Sequence, residues 1–600
     1  MTDWRGWKGK ILRINVTNNI VSTEELEPKR ARDYVGGQGL ASKYLFDEID
    51  PQVDPLSPDN KLIFATGPAT GTAALGGSRY MVVTKSPLTG AIASSNSGGF
   101  WGPELKFAGY DMIIFEGKAK EPVYLWIKDG EVEIRPAAHI WGRKTSETQD
   151  VICSETHKKA KVACIGPAGE NLVKTACIIN DEGRAAGRSG VGAVMGAKNI
   201  KAVAVMGTGK VPVADEKTLK EITASAFKKI PQPMALRTGG TSSYLMPSNL
   251  IGSLPTRNFQ TGVFEGAEKI DGETVMETSF VRRSACYRCP IGCGRITKVT
   301  TPPFEGEGAG PEFEGLYSLG ACCGIDNLPA IIKAFYICNE LGIDVITTGV
   351  TIACAMEMFE RGFLSEKDIG MKLNFGNAEG MVELVEKIGH RDGFGKELAE
   401  GSYRLAEKHG HPEFSMTVKK QEIPGYDPRV CQGMAIEYAT SNRGACHMRG
   451  DIATQELWGI PVKLDPLETK GKAQYLISLQ NEMAVSDSMG ICQFLSGYKI
   501  GEEMVLAELE AISGAGYSKE NFQRTGEKIW NLERLFNLKA GFTGEDDTLP
   551  RRLLEEPMPE GPGKGYVAKL GEMLPEYYQL RGWDSSGNPT EDKLRELGIV

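Results

Sequence analysis

The sequence has no uninterrupted apolar run of about eighteen residues, the length that a membrane-spanning helix needs. The first residues, Met1-Thr-Asp-Trp-Arg-Gly-Trp-Lys, contain no apolar core of a signal peptide. An excess of basic residues is also missing, because the formal net charge is −9. We therefore expect a cytoplasmic protein with no membrane span and no nucleic-acid partner.

The composition is that of a globular protein, with 41% hydrophobic and 24% charged residues. A chain of 600 residues is too long for one core and predicts about three domains. The 13 cysteines are an odd number without an export signal, which favours reduced thiols and metal ligation over a disulfide framework.

Periodicity predicts an α+β fold with a β-rich first domain. Short β-branched or aromatic runs bounded by Gly, Pro or Asp predict strands at 61–65, 80–84, 111–116, 123–127 and 201–205. Helical periodicity follows at 328–338, 351–359 and 381–388. We predict a β-rich domain over 1–208 and mainly helical domains over 209–415 and 416–600, with the second boundary near 412–420, after a helix over 396–408.

Three cysteines, Cys286, Cys289 and Cys293, lie within eight residues of a loop with Gly and Pro. A [4Fe–4S] cluster needs four thiolates and accepts one from far along the chain, whereas structural zinc usually finds a second pair nearby. No such pair follows, because Cys322, Cys323, Cys338 and Cys354 lie in apolar or helical sequence. Cys492, in a Gly-containing turn after a helical run ending near Val485, is the better fourth ligand. The spacing favours a cluster over zinc, and zinc over unligated cysteines.

Two glycine-rich segments, 76–102 and 181–192, indicate a phosphorylated cofactor. Glycines let backbone N–H groups approach a phosphate, and Arg79, Arg184 and Arg188 would add bidentate charge. Neither segment has Rossmann spacing, and no Walker lysine motif is present. Plain tight turns between strands are the alternative interpretation.

Several motifs together resemble the tungsten-containing aldehyde ferredoxin oxidoreductase family, from Trp4 to the end of the chain. The motifs are 286–293, the acidic loop 306–315, 339–344, 443–447 and 487–492. The resemblance implies two molybdopterin-type pterins on one tungsten ion, joined through their phosphates by magnesium, with a [4Fe–4S] cluster beside one pterin.

The resemblance also implies a role for individual residues. Cys286, Cys289, Cys293 and Cys492 correspond to the cluster ligands. The motifs 339–344 and 487–492 would each hold a pterin, although Asn339 replaces the family's Asp, and Ile343 and Ile491 replace its Leu. Asn96 and Ala185 fall where family members offer backbone carbonyls to magnesium, and Arg79 and Arg184 fall near the pterin phosphates. The implied cofactor-binding residues are Arg79, Asn96, Arg184, Ala185, Asn339, Asp344, Asp487 and Ile491.

The chain contains no Glu-x-x-His motif, with which some family members build a metal site between identical subunits. This departure predicts a hetero-oligomer with a ferredoxin or iron–sulfur electron-transfer subunit, possibly with a flavin subunit, in place of a metal-bridged homodimer.

Aldehyde oxidation needs a base for the attacking water and a donor for the developing oxyanion. We assign these roles to Glu312, in a loop where apolar neighbours would raise a carboxyl pKa, and to His447. On its own, either residue would be interpreted as structural. The resemblance to the family favours the catalytic interpretation instead. The other histidines, His139, His157, His390, His409 and His411, lie in polar sequence.

The expected function is tungsten-dependent oxidation of aldehydes to carboxylic acids, with electrons passing to a ferredoxin-like acceptor. One alternative is a sister enzyme acting on glyceraldehyde 3-phosphate, formaldehyde or an aromatic-ring thioester. Another is a non-catalytic iron–sulfur or zinc scaffold, which would not need the pterin loops.

Overall fold

The computed structural model describes residues 4–230, 234–495 and 501–599. Within these ranges no helix is both long enough and apolar enough to cross a membrane.

The first 116 residues build a six-stranded sheet. Its strands are β1 (Lys10–Asn15), β2 (Ile20–Glu25), β3 (Leu62–Thr66), β4 (Tyr80–Lys85), β5 (Ile92–Ser97) and β6 (Met112–Glu116). They run in the order β2-β1-β6-β3-β4-β5, and β1 with β6 is the parallel pair. The helices here are α1 (Pro28–Tyr34), α2 (Gly37–Glu48) and α3 (Trp101–Phe107).

A second six-stranded sheet follows. Its strands are β7 (Val123–Lys128), β8 (Glu131–Pro136), β9 (Lys161–Cys164), β10 (Ile178–Asn180), β11 (Arg184–Ala186) and β12 (Ile200–Met206). The order is β11-β10-β9-β12-β7-β8, with β12 and β7 parallel. Three helices accompany it: α4 (Thr145–Glu155), α5 (Pro167–Glu170) and α6 (Val191–Ala197).

The rest of the chain is mainly helical. Up to residue 415 its helices are α7 (Glu216–Lys229), α8 (Ala235–Thr238), α9 (Leu245–Leu250), α10 (Gly272–Thr278), α11 (Phe313–Gly315), α12 (Leu328–Leu341), α13 (Val345–Glu360), α14 (Glu366–Ile369), α15 (Ala378–His390), α16 (Gly395–Leu398) and α17 (Ser402–Lys408). The later helices are α18 (Gln432–Thr440), α19 (Lys472–Met489), α20 (Gln493–Leu495), α21 (Gly501–Ser513), α22 (Lys519–Lys539), α23 (Arg551–Glu555), α24 (Leu570–Arg581) and α25 (Glu591–Glu596).

Two small sheets interrupt the helices. A three-stranded antiparallel sheet has the order β13 (Phe280–Ser284), β14 (Gly294–Val299), β15 (Gly306–Ala309). A hairpin joins β16 (Thr417–Val418) to β17 (Gln421–Glu422).

Both faces of β3, β4 and β6 are buried, which explains their mainly apolar sequences, whereas β2 at the edge of the sheet is exposed. Leu12 and Phe64 face the second sheet and share a hydrophobic cluster with Leu125 and Val203. Their neighbours in sequence point the other way, as side chains alternate along a strand, and pack against α2 and α22. The first sheet therefore lies between the second sheet and the helices.

The predicted α+β fold with a β-rich first part is confirmed, and the predicted strands correspond to β3, β4, β6, β7 and β12. The single helix predicted over 396–408 is wrong, because Gly401, with a positive φ of 87°, separates α16 from α17. α19 continues to Met489, past the predicted end near Val485. The domain boundary at 415 stays a prediction. One hydrophobic cluster contains residues from both sides of this boundary, among them Val350 and Tyr577.

A buried ionic network ties the C-terminal helices to the β16–β17 turn. Asp547 accepts from Lys419 Nζ at 2.8 Å, from Arg534 Nη1 at 2.9 Å and from the Tyr578 hydroxyl at 2.7 Å. The side chains of Asp547 and Lys419 have no exposed surface. Although burial alone would raise the pKa of Asp547, Lys419 and Arg534 hold that pKa below its usual value.

We expect Asp547→Ala to lower the free energy of unfolding by about 3–5 kcal/mol, because two buried cations lose their carboxylate. Urea unfolding followed by circular dichroism measures this loss. Glu545→Ala, an exposed carboxylate in the same turn, is the matched control and should shift stability by less than about 0.5 kcal/mol. Equal effects of the two substitutions would contradict the assigned role of the network.

Candidate active site

One cavity of about 320 Å³ collects every predicted catalytic and cofactor-binding side chain outside the cysteines. It lies where the two large sheets meet the helical part. Two neighbouring cavities extend it: one of about 340 Å³ that shares Gly183 and Asn339, and a chamber of about 200 Å³ that shares Glu312 and His447. Among the predicted residues, the central cavity is lined by Arg79, Asn96, Arg184, Ala185, Glu312, Asn339, Asp344, His447, Asp487 and Ile491.

Two edge strands bring the β-rich residues together. β5 is the last strand of the first sheet and carries Asn96, while β11 is the last strand of the second sheet and carries Arg184 and Ala185. These two strands lie against each other. Residues that are far apart in the sequence therefore meet at the junction of the sheets.

The two predicted pterin motifs lie at helix ends. α12 ends before Gly342, whose φ of 72° is left-handed. Asp344 caps α13 by accepting from the backbone N atoms of Ile346 and Thr347, both at 3.3 Å. Asp487 is in the last turn of α19, which ends at Gly490 with a φ of 82°. A glycine at each of these positions allows the turn that follows the helix.

Each motif aspartate pairs with a buried arginine. Arg188 lies 3.4 Å from Asp344, and Arg449 forms an ion pair with Asp487. Arg188 also donates to the carbonyls of Ala445 and Glu422, at 2.8 and 2.6 Å. The sequence had suggested Arg188 as a phosphate ligand, and these contacts give it a bridging role between β11 and the helical part.

Three arginines on the cavity wall, Arg79, Arg184 and Arg443, form no ion pair with a carboxylate within the described residues. The Nε atoms of Arg79 and Arg443 are buried and have no hydrogen-bond partner in the described residues. Arg184 donates weakly to the Ser284 carbonyl, at 3.3 Å. Buried guanidinium groups of this kind fit an anionic ligand, which would supply the missing acceptors.

The four predicted cluster cysteines lie near one another, beside this cavity and close to Arg79. Arg79 Nη2 contacts Cys492 Sγ at 3.0 Å, and Cys492 N donates to the carbonyl of Gly76. The sulfurs of Cys286, Cys293 and Cys492 together raise the pKa of the buried Arg79. Burial raises the pKa of Cys289 to about 11 and that of Cys293 further, so thiolates here need a positive partner.

Close packing around the sulfurs explains why residue 98 is a glycine. A Cβ atom on Gly98 would lie 2.9 Å from Cys286 Sγ, closer than packed atoms tolerate. The cysteines outside this group that the sequence assigned to the core, Cys322, Cys323, Cys338 and Cys354, are all buried.

The chamber holds the proposed catalytic pair and an additional carboxyl. Glu312 accepts a hydrogen bond from the Thr241 hydroxyl. Glu314 accepts from Gly425 N at 3.1 Å and lies 3.5 Å from His447 Nε2. Burial raises the pKa of Glu314 to about 8 and lowers that of His447 to about 3. Both groups are therefore neutral at pH 7, and their approach is not an ion pair.

Sequence reasoning missed the role of Glu314 and the pairing of the arginines. Glu314, in the acidic loop 306–315, had been considered only as an alternative to Glu312 as the base. Arg443 donates to the Ser94 carbonyl at 2.8 Å. Arg443 and Arg449 flank His447 in the sequence, and this spacing was the one signal that could have predicted their place in the site.

Comparison with known proteins identifies the family. Family models described as "Aldehyde ferredoxin oxidoreductase, N-terminal domain" and "Aldehyde ferredoxin oxidoreductase, domains 2 & 3" match residues 11–207 and 217–599. The chain is 50% identical to the tungsten-containing aldehyde ferredoxin oxidoreductase of Pyrococcus furiosus and 48% identical to that of Thermococcus kodakarensis, with 99% of each chain covered.

More distant similarities extend over the whole chain. A P. furiosus protein named aliphatic sulfonate oxidoreductase, WOR-like subunit, is 32% identical, over 99% of this chain and 97% of that one. The active site complex BamBC of benzoyl coenzyme A reductase, solved with 1,5-dienoyl-CoA, matches with a TM-score of 0.86 and 27% identity, over 99% and 97% of the chains. These matches confirm the resemblance seen in the sequence: the chain is an oxidoreductase that belongs to the aldehyde ferredoxin oxidoreductase family.

Proposed function

We propose that this protein oxidises aldehydes to carboxylic acids with water as the oxygen source. The electrons pass through a [4Fe–4S] cluster to a ferredoxin-like acceptor or partner subunit. One observation carries the proposal: a single cavity is lined by all ten predicted cofactor and catalytic residues and lies next to four cysteines. The names of the relatives at 48–50% identity support the same activity.

The cavity wall fits a tungsten bis-pterin. Arg79, Arg184 and Arg443 lack carboxylate partners and would bind its phosphates. Asn96 and Ala185, on the facing edge strands, would offer backbone carbonyls to magnesium. The motifs ending in Asp344 and Ile491 would hold one pterin each.

The cysteine set favours an iron–sulfur cluster over zinc. Within the described ranges, no three His, Cys, Asp or Glu side chains are close enough together to hold a single metal ion. A zinc ion would need its sulfurs about 2.3 Å from one centre. A larger group that spans Cys286, Cys289, Cys293 and Cys492 suits the wider arrangement.

The protein's own groups supply the proton chemistry. Oxidation of an aldehyde and water yields a carboxylic acid, two protons and two electrons. Glu312 would receive a proton from the attacking water. His447 is neutral, and its Nδ1 atom is buried with no partner among the described residues, so this nitrogen can donate to the carbonyl oxygen. When bound, the tungsten centre would supply an acceptor for the electron pair, and the cluster would supply one-electron transfer.

The side chains that line the chamber favour one class of substrate over another. Tyr244, Phe313 and Tyr426 supply aromatic walls, and Arg79 and Arg184 are its cations in the part of the chain that the structure describes. Both arginines lie beside the cysteine sulfurs. An uncharged aldehyde fits this lining better than glyceraldehyde 3-phosphate. A dye-reduction assay with aliphatic, aromatic and phosphorylated aldehydes, formaldehyde and an aromatic-ring thioester separates the sister activities.

The absence of Glu-x-x-His from the sequence favours a hetero-oligomer over a metal-bridged homodimer. The second subunit would carry an iron–sulfur centre, with or without a further flavin subunit, and the complex would work in the cytoplasm. Purification of the native complex tests this composition.

Cys492→Ala should lower the iron content and the visible absorbance, because Cys492 would close a cluster begun by the three clustered cysteines. Metal analysis and absorption spectroscopy measure both. Cys354→Ala removes another buried thiol, in α13, and should leave the iron content unchanged. Full iron in the Cys492 variant would mean that the fourth ligand is a different residue.

Glu312→Gln keeps the size of the side chain and removes the base, so turnover should fall by about 10²–10⁴-fold with tungsten and iron retained. His447→Ala should cause a comparable loss through the missing oxyanion donor. Aldehyde oxidation is measured with metal-replete variants. A near-native rate for Glu312→Gln would mean that a group other than Glu312 is the base.

The wild-type rate should decline above about pH 8, as Glu314 ionises and places a negative charge beside His447. Below that pH the carboxyl is protonated and this charge is absent. Glu314→Gln stays neutral at every pH and should abolish the decline. The test is the pH dependence of kcat/KM from pH 6 to 10, and an unchanged alkaline limb in the variant would rule Glu314 out as its source.

A further inference from the structure

Basic charge is concentrated around the cysteine loop, although the chain as a whole is acidic. Residues 280–300 include Arg282, Arg283, Arg288, Arg295 and Lys298 and no Asp or Glu, in a chain with a net charge of −9. Such a local reversal of sign attracts an oppositely charged partner.

The strand that leads into this loop has an open edge. β13 is the outer strand of its sheet and pairs only with β14 in the described part of the chain. Its residues are exposed, with Phe280 at 36% and Val281 at 44%. β13 ends two residues before Cys286, so a protein seated on this edge would approach the cysteine group directly.

Two of the arginines are free to meet a partner. Arg283 and Arg288 are exposed, and neither forms an ion pair within the described residues. Arg282, in contrast, is held by Glu182. Two nearby acidic side chains are likewise engaged, because Asp181 accepts from Phe100 N at 2.7 Å and Glu182 accepts from the Ser284 hydroxyl at 3.1 Å.

An aromatic contact adjoins the free arginines. Phe100 is 38% exposed and packs edge-on against Tyr287, with ring centroids 6.4 Å apart. Tyr287 follows Cys286 in the sequence and donates through its backbone N to the Gly99 carbonyl. On the same side lies a concavity of about 620 Å³, lined by Phe100 and by more cations than carboxylates. The cations are Lys158, Lys161, Arg184, Arg282 and Arg283, and the carboxylates are Asp150, Asp181 and Glu182. An exposed aromatic side chain beside an excess of cations is typical of a protein-binding surface.

We propose that the edge of β13, Arg283, Arg288 and Phe100 form the docking surface for an acidic iron–sulfur electron acceptor. This inference rests on the proposed function. Each aldehyde oxidised releases two electrons, which reduce two one-electron acceptor clusters in turn. Cys286, Cys289 and Cys293 are all partly exposed while Cys492 is buried, so the loop with three cysteines is the part of the proposed cluster site that a partner on this surface would approach.

The test compares two electron acceptors for one enzyme. Wild type and the variants Arg283→Glu and Arg288→Glu are assayed with a purified acidic two-[4Fe–4S] ferredoxin and with benzyl viologen. Reversal of a charge at an interface mainly slows association, so the KM for ferredoxin should rise about tenfold at low salt. This difference should shrink at 0.5 M salt, where charges are screened. The viologen rate and the iron content should stay at wild-type values.

Two further variants sharpen the comparison. Arg283→Gln removes the charge without reversing it and should give an intermediate KM for ferredoxin. Arg595→Glu, an equally drastic change on the exposed face of α25, should leave that KM unchanged.

Each outcome has a distinct meaning. An unchanged KM for ferredoxin in both charge-reversal variants, with normal viologen rates, overturns the docking surface and leaves the proposed function intact. Wild-type enzyme that reduces neither acceptor with any aldehyde overturns the proposed function itself. If the variants instead convert a homodimer to a monomer in light scattering, the surface joins two copies of this chain, which also overturns the proposal.

Discussion

The need to neutralise buried arginines constrains the centre of this molecule more than any other interaction. A guanidinium group removed from water is strongly destabilising unless anions or carbonyls surround it. Arg188 and Arg449 meet Asp344 and Asp487, and Arg79 meets Cys492. Each contact joins elements that are distant in the sequence, so satisfying the charges also sets the position of β11, α13 and α19 relative to one another.

The cavity suits an anionic cofactor, and the adjoining chamber suits an uncharged substrate. The cavity keeps positive charge next to the expected phosphates, whereas the adjoining chamber keeps Glu314 and His447 neutral. Burial acts in opposite directions on the pKa of an acid and of a base, and here it removes the charge from both. A region for a fixed anionic cofactor and a region for a polar but uncharged substrate can therefore lie side by side.

Local patterns in the sequence predicted a large part of this structure, and long-range contacts account for what they missed. Strands such as β3 and helices such as α12 have strong periodicity, and the spacing of Cys286, Cys289 and Cys293 is visible in eight residues. β13 and β15 are polar or glycine-rich and have no such pattern. The burial of Glu314 depends on Gly425 and His447, which lie more than a hundred residues away. No short segment of the sequence therefore predicts that Glu314 is buried.

The wide separation of the four cysteines along the chain has a consequence for biosynthesis. Cys492 is held by the Gly76 carbonyl, in the loop between β3 and β4, and the other three lie on a loop between β13 and β14. Any group that binds all four sulfurs can be inserted only after the ribosome has released α19 and α19 has docked against the N-terminal part. Maturation of this centre must therefore be a late event, and the emerging chain carries its first three cysteines without their fourth partner until nearly five hundred residues have been made.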